Sequence, residues 1–118
     1  MKRVFVGMPP FEREWRRLEL GDTCRRGLEQ ALLRDPCSGA LIKEAGGVRK
    51  IRHAIPGKGK SGSIRVFYYD YAAIEHLFLM AVIKKGEVEN LSTSERKMLG
   101  AAVTTIIKDY ENRKRSKK

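Results

Sequence analysis

Three strand-like segments follow one another in the middle of the chain: Val48 to Ala54, Ser63 to Tyr71 and Glu75 to Ile83. They are rich in β-branched and aromatic residues, and only the glycine-rich turn Pro56 to Gly62 and one tighter turn separate them. A parallel connection needs a crossover of about a dozen residues or more, so segments this close pair as consecutive antiparallel neighbours. The last segment is apolar on both faces, as a central strand is.

The flanking sequence completes the order of elements. Val4-Phe5-Val6 is a short β-rich run stopped by Gly7 and by Pro9-Pro10, which predicts a first strand. Phe11, Trp15 and Leu18 recur at helical spacing, and Asp22 is placed to cap a second helix with the stripe Cys24, Leu28, Ala31 and Leu32, ended by Pro36. Ser92 and Glu95 have the form of a capping box ahead of the stripe Leu99, Ala102, Val103, Ile106 and Tyr110. The expectation is an α+β domain over residues 1–112, ordered strand, helix, helix, three antiparallel strands, helix, with the helices on one face of a small sheet. From Arg113 the run Arg-Lys-Arg-Ser-Lys-Lys reads as a frayed basic tail, residues 113–118.

At 118 residues and 42% hydrophobic the chain can bury a modest core. Its longest apolar stretch, Leu77 to Ile83, falls far short of the roughly 18 residues of a membrane span, and the opening residues are too short an apolar run for a secretory signal. A cytoplasmic protein without a membrane partner is expected. Cys24 and Cys37 then read as free thiols in a reducing compartment.

Charge is the informative feature for function. The chain carries 25 Lys+Arg against 14 Asp+Glu, a formal +11, which makes an anionic partner the default expectation. Between Ala45 and Tyr69 there is no Asp or Glu, where composition would place about three. Arg49, Lys50, Arg52, Lys58, Lys60 and Arg65 all fall in that window, with His53 among them. They lie on two neighbouring strands and the glycine-rich turn between them, and glycines there let backbone and lysines approach a phosphodiester. A solvated sheet face usually mixes signs, whereas a cluster of one sign repels itself and is relieved by an anion.

Two other chemistries fit poorly. Gly59-Lys60-Ser61 resembles the end of a phosphate-binding P-loop, but G-x-x-x-x-G-K-S/T requires glycine where Ala54 stands, and the loop must open a helix rather than a strand. Cys24, Cys37, His53 and His76 have no metal-ligand spacing, and no carboxylate lies among the basic residues to hold magnesium. His76 reads as a packing residue in an apolar strand.

The runs Gly46-Gly47-Val48-Arg49-Lys50-Ile51-Arg52, Gly57-Lys58-Gly59-Lys60, Arg65-Val66-Phe67-Tyr68-Tyr69, Lys84-Lys85-Gly86-Glu87 and Asn90-Leu91-Ser92 resemble the RelE/ParE superfamily of bacterial toxins, with the closest likeness to its HigB-type branch. The resemblance covers essentially the whole chain, and the segment from Gly46 to Tyr69 is its most specific part. It implies the toxin of a type II toxin–antitoxin pair: an mRNA interferase that enters the ribosomal A site and cuts messenger RNA without metal or other cofactor. In that chemistry the ribose 2′-hydroxyl attacks the adjacent phosphorus and leaves a cyclic phosphate. The reaction needs a base, donors for the charge growing on phosphate oxygens, and a proton for the leaving 5′-oxygen. Arginine and lysine supply the donors, and a lysine crowded by like charges loses its proton more readily and can act as base.

Carried over by the resemblance, Arg65 is the expected phosphate stabiliser. Lys50 and Arg52 are the basic pair of the preceding strand, clamping the backbone or transferring a proton, and Lys85 is the basic residue of the loop after the last strand, facing the same cleft as Glu87. Arg49, Lys58, Lys60, Tyr68 and Lys84 are expected to contact RNA. The aromatic residue that the RelE branch carries beyond that loop is replaced by Leu91-Ser92-Thr93. Tyr68 and His53 are possible stand-ins, and the general base is unassigned. The implied partner is an antitoxin, a helix-turn-helix protein encoded alongside, expected on the apolar stripe around Trp15. Two rival readings stay open, a ParE-like inhibitor of DNA gyrase and a basic nucleic-acid-binding protein without catalysis.

Overall fold

A computed structural model describes residues 2–57, 62–84 and 91–116. Strand β1 (Val4–Gly7) leads into helix α1 (Pro9–Arg17), helix α2 (Gly21–Arg34) and a two-residue strand β2 (Ala40–Leu41). Strands β3 (Arg49–Ala54), β4 (Ser63–Tyr71) and β5 (His76–Lys84) follow, with a single 3-10 turn at Ala72–Ile74, and helix α3 (Thr93–Ser116) ends the described chain. Residues Lys58, Lys60, Lys85 and Glu87 lie outside the described residues.

The five strands form one sheet in the order β1-β5-β4-β3-β2. β3, β4 and β5 are consecutive antiparallel neighbours, as their short connections require, and β1 adds to the far edge of β5 in parallel. β5 is therefore paired at both edges, and its apolar residues on both faces are buried by α1 and α2 on one side and α3 on the other.

Side chains alternate across a strand, and the core divides accordingly. Ile64, Val66 and Tyr68 of β4, with Leu77, Leu79 and Val82 of β5, pack against Phe11 and Trp15 of α1 and Cys24, Leu28 and Leu32 of α2. Phe67 and Met80 point the other way and join Val103 of α3, Ala45 and Val48, with Tyr69, Phe78, Ala81, Ile83, Leu99 and Ala102 around them. The expectation of helices on one face holds for α1 and α2, and α3 departs from it. The opposite face carries its own large apolar residues, and only the last helix is left to cover them. A bulge in β5 adds to that second face: Phe67 pairs with Ala81 and Tyr68 with Leu79, so Met80 is extra, and Met80 and Ala81 both lie toward α3.

The Trp15 stripe is spent on this core. Trp15 is 6% exposed and Phe11 fully buried, so the stripe expected to receive a partner packs on the sheet instead. α2 starts at Gly21 without a side-chain cap, so Asp22 sits within its first turn rather than at the cap. The capping box at α3 forms in both directions: Ser92 N–H donates to Glu95 Oε1 at 2.9 Å and Glu95 N–H to Ser92 Oγ at 3.1 Å. α3 continues to Ser116, so the basic run from Arg113 extends the helix where a frayed tail was expected, and cations there complement the helix C-terminus. Both cysteines are free, Cys24 buried and Cys37 exposed.

Candidate nucleic-acid interface

The pleat sorts the basic residues of the acid-free window. Lys50 lies opposite Phe67, and Arg52 directly opposite Arg65, across the β3–β4 pair. Directly paired residues share a face, and Phe67 marks it as the α3 face. Lys50, Arg52 and Arg65 are thus gathered on one surface, the sheet face on which α3 packs. Arg52 is exposed, while Lys50 and Arg65 are half-buried. Arg65 Nη1 donates to Ser63 Oγ at 3.3 Å, which holds the guanidinium along the strand. Two arginines opposed across a strand pair repel each other, and one phosphate between them would accept hydrogen bonds from both.

Other expected contacts fall elsewhere. Arg49 points to the α1–α2 side, where its Nη1 donates to Cys37 O at 3.1 Å and Gly39 O at 2.7 Å and ties the loop after α2 to β3. Lys84 lies opposite Ile64, on that same side, and lines a hollow with Leu18, Leu20 and Ile55. An odd separation in a strand sends neighbours to opposite faces, so Arg49 cannot join Lys50 and Arg52.

Tyr68 requires a correction. It is fully buried in the α1–α2 core, where its hydroxyl donates to Pro36 O at 2.7 Å and accepts from Gly39 N–H at 3.0 Å. A side chain closed in this way does not touch RNA. Its acidity is weakened by burial, with the Gly39 hydrogen bond acting against that. His53, the other stand-in for an absent base, faces α2, where burial pushes its imidazole below the usual value and a hydrogen bond to the Cys24 backbone opposes the shift. Neither reaches the face of Arg52 and Arg65. His76 packs, its Nδ1 2.7 Å from Ile74 O and its ring against Phe78.

Two residues outside the acid-free window join the same surface. Lys43, in the loop from β2 to β3, and Arg96, in the first turn of α3, line a hollow of about 310 Å³ with Lys50, Phe67 and Leu91. Among the described residues its lining holds no acidic side chain. Among the described residues no group of three His, Cys, Asp or Glu side chains is arranged to hold a metal ion. No described helix is long and apolar enough to cross a membrane.

The fold and the surface together define a small RelE-like α+β domain with a cationic face on its central sheet. Among solved structures it is similar to a double arginine-to-alanine variant of the E. coli toxin RelE in the free state, with a TM-score of 0.54 and 22% identity over 75% of this chain and 90% of that one. At that identity the likeness is one of fold. No family model matches the sequence.

Proposed function

We propose that this protein is the toxin of a type II toxin–antitoxin system, of the HigB-like kind, and acts as a ribosome-dependent, metal-independent mRNA endoribonuclease in the cytoplasm. The observation that carries the reading is the Arg52–Arg65 pair opposed across β3 and β4, with Lys50 on the same face, in a RelE-like fold. In this mechanism Arg52 and Arg65 meet the non-bridging oxygens of the scissile phosphate as charge grows there, and Lys50 neutralises the strand beside it. The resemblance adds Lys85 from the loop after β5 and the glycine-turn lysines Lys58 and Lys60. The 2′-hydroxyl oxygen bonds to phosphorus as the bond to the 5′-oxygen breaks, leaving a cyclic phosphate and a free 5′-hydroxyl. Neutralisation by a cognate antitoxin completes the system.

The test is regulated expression in a bacterium with new 5′ ends mapped on messenger RNA. Wild type should arrest growth and create such ends. Arg65→Ala should lose cleavage by about a hundred- to a thousandfold, the usual cost of one preorganised donor to a developing oxyanion. Arrest with DNA damage and no new mRNA ends would transfer the protein to the gyrase-inhibitor reading. Undiminished cleavage by a well-folded Arg65→Ala variant would remove the site assignment.

A further inference from the structure

The hollow lined by Lys43, Lys50 and Arg96 differs in construction from the open Arg52–Arg65 pair. Neither Lys43 nor Lys50 has an ion-pair or hydrogen-bond partner among the described residues. Arg96 is anchored, its Nη1 donating to Leu91 O at 3.0 Å and its Nη2 to Thr93 Oγ1 at 3.3 Å. Its Nε is buried without a partner among the described residues, a state native structures seldom leave unanswered. A cation in the first turn of a helix also opposes the helix dipole, an arrangement that a bound anion reverses. The remaining lining residues, among them Ala40, Phe67 and Leu91, are apolar.

We infer that Lys43, Lys50 and Arg96 form a second phosphate subsite, one nucleotide along the RNA from the phosphate held between Arg52 and Arg65. The inference rests on the nuclease reading above. Lys50 and Arg52 are two positions apart on one strand, about 6.8 Å, a step on the scale of one nucleotide in an extended single strand. Lys50 is thus the member of the second subsite that adjoins the first. Close backbone contact sets the far wall: a Cβ on Gly46 would lie 3.0 Å from Gly100 Cα, so the loop that carries Lys43 is seated against the helix that carries Arg96. Phe67 and Leu91 offer an apolar floor beside the cations, suited to a sugar or base edge and unsuited to a free solvated ion.

The test uses the intact protein and a 2′-O-methyl RNA hexamer, which lacks the attacking hydroxyl and stays uncut. Binding is followed by fluorescence anisotropy over a series of potassium chloride concentrations. Each phosphate contact contributes about 0.7 to the log–log salt slope for a single strand. The Lys43→Gln/Arg96→Gln double variant should lower the slope by about 0.7, the share of one phosphate, and each single variant by part of that. Because Arg96 holds the Leu91 carbonyl, Arg96→Lys serves as the charge-keeping control and should retain the slope; Lys43 is exposed and its replacement leaves α3 untouched. An unchanged slope in the double variant, with Arg52→Gln/Arg65→Gln still lowering it, overturns the second subsite alone. If neither double variant lowers the slope, the subsite and the nuclease reading fall together.

Discussion

The Tyr68 hydroxyl closes a loop: by binding Pro36 O and Gly39 N–H it ties the segment after α2 to the middle of β4. Tyr68→Phe leaves a buried donor and a buried acceptor unmatched, so it should cost about 1–3 kcal/mol in urea unfolding. The RNA salt slope should not change, and a lowered slope would return Tyr68 to the binding surface. Lys50, Arg52 and Arg65 were legible in the sequence because an acid-free window is a signal that survives ignorance of the fold. Lys43 and Arg96 were hidden from it, since each adjoins a glutamate, Glu44 and Glu95, and a count along the chain cancels them. In space the neighbours separate: Glu95 turns back to the Ser92 backbone as half of the capping box, while Arg96 faces the hollow.

The elements themselves were read well where the signal is local. β4 matches the expected Ser63 to Tyr71, β3 and β5 differ by one residue, and the Ser92–Glu95 box marks the start of α3. What stayed hidden depends on long-range packing. A stripe says that a helix has a buried side, and nothing in it says which sheet face receives that side, hence the misplacement of α3. β2 is two residues long and exists only by pairing with β3. The seat of α3 gives a paired prediction of opposite sign. Gly46 has φ +68°, and a Cβ there would approach Gly100 Cα at 3.0 Å, so Gly46→Ala should destabilise by about 1–2 kcal/mol from the left-handed backbone alone. Gly100 is helical and its Cβ would meet Ala45 at an ordinary 3.5 Å, so Gly100→Ala should be neutral or stabilise by up to about 1 kcal/mol in thermal unfolding. Equal losses in both would mean that the loop and α3 are not seated as described.

At the scale of the whole molecule, stability should respond to mild acid through His53. Its folded value is lowered by burial, so the unfolded chain takes the proton more readily and unfolding is favoured as the pH falls below about 6.5. Above that value the contribution is complete. Urea midpoints should decline from pH 7 to 5, and His53→Gln should flatten that decline; an equal decline in the variant would place its origin elsewhere. The sheet order has a different consequence, one of timing. Val4 pairs with His76, so the strand synthesised first waits for a partner synthesised late. β3, β4 and β5 are joined by short connections and incur little loop-closure entropy, which lets that meander assemble before β1 docks. Until then β5 presents an open edge of unpaired amides and carbonyls, a template for any other extended chain nearby. The arginine pair therefore takes shape on a half-finished sheet, and the short N-terminal strand is what later seals the edge on which crowded nascent chains would stick to one another.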